Sequence, residues 1–230
     1  MTPQGNDVEV ALESNAYYSA HALEQDKRIR AYLIMKRTID IVGAAVGIFV
    51  LLPLFIGVAI LIKLEDPRGP VFFHQKRVGK NGIPFRMYKF RSMVSNAEEL
   101  LETLLSQNEV EGHMFKMKHD PRVTRIGRCI RKTSIDELPQ LVNVLKGDMS
   151  LVGPRPPLPR EVKEYSAHDK KRLSVIPGCT GLWQVSGRSQ LSFDQMVELD
   201  LRYIKERSIW LDFKIMLRTI LLIFGSKNAY

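Results

Sequence analysis

From Ile41 to Ile62 the chain carries no charged or strongly polar side chain. A run of about 22 residues matches the roughly 20 that a helix needs to cross a bilayer, so a membrane element is the first constraint on the fold. Its flanks bear on topology. Lys27, Arg28, Arg30, Lys36 and Arg37 precede it, and Lys63, Arg68, Lys76, Arg77 and Lys80 follow it. Basic residues on both sides assign both sides to the cytoplasmic face. Pro53 stands near the centre. A proline inside a helix removes one backbone hydrogen bond and bends the axis, so a re-entrant hairpin that turns at Leu52–Pro53 and leaves by the face it entered satisfies both observations. A bent helix that spans is the alternative, because membrane helices tolerate proline. A buried soluble helix fits this length less well.

Beyond residue 63 the sequence reads as a soluble, partly charged domain. With 230 residues and 45% hydrophobic content, the chain can bury one core beside a membrane element and is too short for a large multidomain enzyme. Its formal net charge of +9 calls for an anionic partner, whether nucleic acid, a phosphorylated substrate or a negative membrane face. Cys129 and Cys179 stand far apart, outside any C-x-x-C pattern. That argues against a disulfide framework or zinc site and for a reducing cytoplasm. His21, His74, His113, His119 and His168 match no common zinc spacing and read as surface residues.

Residues 1 to about 27 are polar and lack the apolar core of a signal peptide, so they read as a mobile tail with a short helix. Turn signals at Gly69-Pro70 and Gly79 to Pro84 bracket VFFHQKRV and FRMYKFRSM, whose alternation predicts a small β-hairpin, the only convincing sheet. Asn96 to about Gln107 reads as an exposed helix, and 112–119 as a connection. Gly127 to Ser134, GRCIRKTS, imitates a phosphate-binding loop, but Arg131 stands where the second glycine belongs and no apolar strand precedes it. Near the end, Ile209 to Phe224 is strongly apolar with Lys214 and Arg218 on its polar side. It is too charged to span and suited to lie in the membrane interface, with Trp210 at headgroup depth.

Chemistry concentrates between Arg131 and Pro159. Leu138, Leu141, Val142 and Leu145 recur at helical spacing, Gly147 supplies a stop, and Pro139 belongs in a first turn, which starts the helix near Asp136. Asp136 and Glu137 would then sit at the positive helix end. That favours an ionised Asp136, available as a nucleophile or metal ligand. A purely structural reading stands beside this one, since Ser134 and Glu137 fit the capping box S-x-x-E and Asp136 an N-cap. Downstream, Gly153-Pro154-Arg155-Pro156-Pro157 forms a stiff loop that fixes Arg155, or an ordinary rigid turn. PGCTGLWQVSGR, from Pro177 to Arg188, has the glycines of a loop whose backbone approaches a ligand, or of a tight structural turn.

From about Lys36 to Phe224 the sequence resembles the bacterial sugar transferase family, small monotopic phosphoglycosyl transferases that begin the assembly of cell-surface glycans. An ordered series carries the resemblance: Lys36, Arg37 and Asp40; the apolar run with Pro53; Lys89-Phe90-Arg91-Ser92-Met93; Ser134 to Leu141; Lys146 to Ser150; Gly153 to Pro156; and Pro177-Gly178 through Gly187-Arg188. Three features depart from compact members. The first 35 residues and the stretch from Val94 to Lys118 are longer, and Leu52 replaces a serine before the proline, which leaves the sharpness of the bend open.

The resemblance implies transfer of a sugar 1-phosphate from a UDP-sugar to a polyprenol phosphate such as undecaprenyl phosphate, with release of UMP. Asp136 would be the nucleophile that forms a covalent phosphosugar intermediate, with Mg²⁺ on Asp136 and Glu137 to offset charge repulsion. Arg131, Arg155 and Arg188, with Pro154 and Pro156, match phosphate-holding positions, and Lys89 and Asp200 match positions needed for activity. GLWQVSGR resembles members of exopolysaccharide or capsule synthesis, with galactose or glucose first among the sugars. The fold so implied is α+β, mostly helical. It divides into an N-terminal extension (1–35), a re-entrant membrane helix (36–64), a cytoplasmic transferase domain with an interfacial last helix (65–224) and a tail (225–230). Expected partners are the UDP-sugar, the polyprenol phosphate, inner-membrane lipids and at most a second copy in a homodimer, with no nucleic acid. The alternative from another class is a membrane-tethered basic binding protein without catalysis.

Overall fold

The computed structural model describes residues 5–97, 99–100, 117, 120–187 and 190–225. Arg188, most of the helix expected over 96–107, and nearly all of the connection over 112–119 lie outside them. The chain divides into two units, Met1–Ile39 and Asp40–Tyr230. In the first, Leu33, Ile34 and Met35 are exposed, and the Thr38 hydroxyl donates to the Ile34 carbonyl at 3.1 Å. The contacts and the site that follow lie within the second.

A single long helix is assigned over Gly5–Glu65, in place of the short helix in a tail that the polar N-terminal residues suggest. Its Lys27–Glu65 portion is the one helix among the described residues long and apolar enough to cross a membrane. Helical assignment continues through Leu52 and Pro53, so no unwound turn separates two arms there.

The domain grips this helix at two places. Asp40, which is buried, accepts from the Ser150 hydroxyl at 3.0 Å and from the Leu151 amide at 2.9 Å. One turn of helix further on, Ala44 enters a core with Met87, Val144 and Met149. At the other end of the apolar run Val58 and Ile62 share a second core with Phe90 and Ile130. Glu65 then accepts from the amides of Arg125 and Ile126 at 2.7 and 3.0 Å, covering donors left open at the start of helix Arg125–Lys132. Arg91 clasps Asp66 at 3.1 Å. Between the two grips the helix shows its apolar side chains outward, Phe49 being 79% exposed.

The expected hairpin forms: β1 (Phe72–Val78) pairs antiparallel with β2 (Pro84–Phe90), in register Gln75 to Met87 and Phe73 to Lys89. A second, parallel pair, β3 (Ser150–Val152) with β4 (Gly178–Thr180), has no counterpart in the sequence reading. Val152 packs with Tyr203 of helix Phe193–Glu206 and Ile215 of helix Ile209–Gly225 in a third core. That last helix buries Asp212 and Ile215 on one side and leaves Trp210, Phe213, Leu217 and Leu221 exposed.

Candidate active site

The acidic pair does not begin a helix. Ser134 adopts a left-handed conformation (φ 56°), Ile135–Glu137 form a 3₁₀ turn, and the α-helix starts only after Pro139, over Gln140–Lys146. Ser134 makes no side-chain cap, so the capping-box reading is not realised. Gly147, at φ 91°, ends the helix as expected. Its buried face is not the predicted apolar one. Gln140, Asn143 and Val144 are buried while Val142 and Leu145 are exposed. Asn143 explains this, because its amide accepts from the Tyr88 backbone N–H (2.9 Å) and donates to the Arg86 carbonyl (2.7 Å), completing the free edge of β2.

Docking of this helix on β2 sets the turn against the strand. Ile135 packs into the core that holds Phe90, Val58 and Ile62. Asp136 is 8% exposed, and Lys89 on β2 reaches between the two acids. Its ammonium lies 2.7 Å from Glu137 Oε1 and 4.0 Å from Asp136 Oδ2. Burial raises the Asp136 carboxyl above its usual range, with Lys89 only partly opposing it. The helix end expected to favour its charged form is absent, and burial acts in the opposite direction. Burial also acts on Glu137, but Lys89, Arg155 and Arg77 outweigh it and leave that group lowered. Arg131 belongs to the Asp136 side, where it favours the charged carboxylate, and its Nε donates to the Ser92 hydroxyl at 2.8 Å.

On the Glu137 side opens a small cleft, lined by Arg77, Met87, Gln140, Arg155 and Pro156 among others. The proline-rich loop is held at both ends. Gly153 N donates to Thr180 and the Pro154 carbonyl accepts from Gly178 N, each at 2.8 Å, while the Pro157 carbonyl accepts from Val78 N at 2.9 Å. The backbone approach at Gly178 is what PGCTG supplies: a Cβ there would lie 2.0 Å from Gly153 N. Cys179 also lines the cleft, its thiol pushed up by burial.

The structure thus brings Lys89, Asp136, Glu137, Arg131, Arg155 and Pro156 to one place, with Pro154 as the loop's tether. It does not bring Asp200 there. That residue is 0% exposed in helix Phe193–Glu206, paired with Arg172, whose Nη1 donates to the Tyr165 hydroxyl at 3.0 Å. Burial pushes the Asp200 carboxyl up to about 6, against the pull of Arg172. Arg77 and Gln140 are cleft residues that the sequence reading missed. Arg77 was visible only as part of a basic flank; its place opposite Phe85, on the hairpin face that also carries Lys89, is the signal that could have found it. Among the described residues no cluster of three or more His, Cys, Asp or Glu side chains could hold a metal.

Paired carboxylates ringed by cations, on a domain fastened to a long apolar helix, define a site for an anionic substrate. The family model for bacterial sugar transferases matches residues 31–226, and the chain belongs to that family. It is 51% identical over 200 residues to the galactosyl transferase CpsE of Streptococcus agalactiae, covering 86% of this chain and 44% of that protein. It is 43% identical over 205 residues to the undecaprenyl-phosphate galactose phosphotransferase of Salmonella typhimurium, covering 87% and 43%. With the exopolysaccharide production protein ExoY of Rhizobium meliloti the identity is 39% over 199 residues, covering 85% and 88%. The chain therefore spans less than half the length of the first two and most of the third.

Proposed function

We propose that the chain transfers a sugar 1-phosphate from a UDP-sugar to a polyprenol phosphate in two steps at Asp136. In the first, an Asp136 carboxylate oxygen attacks the β-phosphorus, the bond from that phosphorus to the bridging oxygen breaks, and UMP leaves. In the second, a phosphate oxygen of the lipid attacks the same phosphorus, the bond to Asp136 breaks, and the carboxylate is restored. The observation that carries this reading is the unequal pair: a buried carboxylate raised by desolvation, beside a second one lowered by three cations. One acid is left with nucleophilic character while its neighbour stays ionised and fixes Lys89.

Mg²⁺ fits this donor set, since it is commonly held by one or two carboxylates together with substrate phosphates and water. Asp136 and Glu137 would hold it, and when bound it would neutralise charge on the diphosphate. Names of the relatives favour UDP-galactose as the first donor to test and undecaprenyl phosphate as the acceptor. The reading extends to location, on the cytoplasmic face of the bacterial inner membrane. Both ends of the apolar run are held by one polar domain, through Asp40 at one end and Glu65 and Asp66 at the other. This supports a segment whose two ends stay on one side of the membrane, and a bend at Pro53 would return the helix to its face of entry.

The test is UMP release with undecaprenyl phosphate, Mg²⁺ and a panel of UDP-sugars. Asp136→Asn should abolish release with the fold retained, because an amide is too weak a nucleophile. Without the lipid acceptor, mass spectrometry should find one sugar phosphate added to the peptide containing Asp136 in the wild type and none in the variant. Near wild-type turnover by Asp136→Asn would overturn the mechanism.

A further inference from the structure

Neither the acidic pair nor the proline-rich loop accounts for Arg77. Only 6% of its surface is exposed, yet it lines the same cleft as Glu137 and Arg155. Its Nε and Nη2 donate to Gln75 Oε1 at 3.1 and 2.7 Å, and its Nη1 donates to the Pro156 carbonyl at 3.0 Å. Gln75 and Arg77 are two apart in β1 and share a strand face, which the hairpin register aligns with Met87 and Lys89 of β2. A guanidinium has five N–H groups. Three are used in these bonds, which leaves one on each terminal nitrogen.

The charge of Arg77 is also poorly matched. Burial and the neighbouring Arg155 push it down to about 10, against the weaker pull of Glu161 and Glu137. Glu137 is already engaged by Lys89 at 2.7 Å. Two guanidiniums facing one sheltered cleft repel each other, and an anion between them would turn that repulsion into binding. A diphosphate matches both the two guanidiniums and the two spare N–H groups.

We infer that Arg77 is a second guanidinium of the subsite for the donor's diphosphate. It holds the Pro156 carbonyl, and with it the loop that carries Arg155, and it shares the diphosphate with Arg155. This rests on the proposed reaction for the identity of the donor. It makes Arg77 a binding and positioning residue on the nucleotide side of the cleft, apart from Arg131 on the Asp136 side.

The test uses the full chain in detergent or nanodiscs, with Arg77→Met, which keeps an unbranched apolar stem, and Arg77→Lys, which keeps the charge but not the fork. Two readouts are compared: KM for each substrate, and the rise in Tm caused by saturating UDP. Loss of charge-assisted bonds should raise KM for the UDP-sugar roughly tenfold to a hundredfold in Arg77→Met and less in Arg77→Lys. KM for undecaprenyl phosphate should not change, and the UDP-induced rise in Tm should shrink in both variants. A purely structural Arg77 would instead lower the nucleotide-free Tm and the active fraction while KM for the UDP-sugar stayed at the wild-type value. That outcome, or an undiminished response to UDP, overturns the inference. If Arg77→Met does not fold, Arg77→Lys decides. Wild-type protein that is stabilised by UDP but releases no UMP from any UDP-sugar would sink the proposed reaction and leave this subsite standing. No stabilisation by UDP would sink the subsite.

Discussion

Lys89 sits unequally between its two acids, 2.7 Å from Glu137 and 4.0 Å from Asp136, and that asymmetry can be read through pH. Its charge opposes the rise that burial gives the Asp136 carboxyl, so deleting it must raise that group further and shrink its ionised fraction at a given pH. If Asp136 is the nucleophile, as proposed, the acid limb of the pH profile of kcat/KM should therefore move to higher pH in Lys89→Met; an unmoved or lowered limb would separate Lys89 from the proposed nucleophile. Asp200 is read through stability. Its carboxyl rises from 3.8 to about 6 on folding, so between those values the folded state keeps a proton that the unfolded chain has lost. Its contribution is present below pH 4 and is lost as pH rises through 6, on the order of 1–3 kcal/mol. Denaturant titrations should show that loss in the wild type and its absence in Asp200→Asn, which can still accept from Arg172. UMP release by this variant near the wild-type rate would mark Asp200 as structural, whereas loss of release at unchanged stability would mark it as a substrate residue. At this scale the sequence disclosed which residues carry charge but not their surroundings. S-x-x-E reads as a local cap, and nothing local reveals that Lys89, 48 positions away, takes the glutamate instead.

Among the elements, the β1–β2 hairpin was legible because seven-residue strands have room for alternation and their turn has glycine and proline at its edges. The β3–β4 pair was not. Three residues carry no periodicity, and their partners are bonded across 28 positions by a close glycine contact rather than by side-chain pattern. The buried face of Gln140–Lys146 was misread for a related reason: Asn143 serves a strand edge, and hydrophobic spacing cannot report a polar residue buried to complete a sheet. Glycine substitutions probe these elements selectively. Gly178→Ala places a Cβ 2.0 Å from Gly153 N and 2.6 Å from Val152 C, backbone atoms that can move only by parting the strands. It should cost about 2 kcal/mol or more and weaken UDP-sugar turnover, since the Pro154 tether goes with it. Gly43→Ala meets only the Leu151 Cδ1 methyl, at 2.8 Å; this flexible side chain can yield, and the cost should stay below about 1 kcal/mol. Equal effects in chemical denaturation would mean that the parallel pair is not what positions the loop.

For the whole molecule, the prediction concerns sidedness. In a chain with Cys129 and Cys179 replaced by serine, single cysteines at Arg30 and Lys132 should react alike with a membrane-impermeant thiol reagent, both from the cytoplasmic side of inverted vesicles. Opposite accessibility would establish a span. Pro53→Ala, which restores a backbone hydrogen-bond donor within the helix, should move a fraction of molecules toward that outcome. The apolar run and its basic flanks were legible at once, because length and charge need no partner to be read. Which residues grip it were not, since Asp40 and Ser150 are 110 positions apart. That grip has a kinetic meaning. With Val58 and Ile62 packed against Phe90, one residue from Lys89, Asp136 would, on the proposed reaction, be held at a set depth relative to the bilayer, and its lipid acceptor would arrive by lateral diffusion in a plane. The relevant concentration of that acceptor is then its mole fraction among the surrounding lipids, so inert lipid acts as a diluent even when the total amount of acceptor is unchanged.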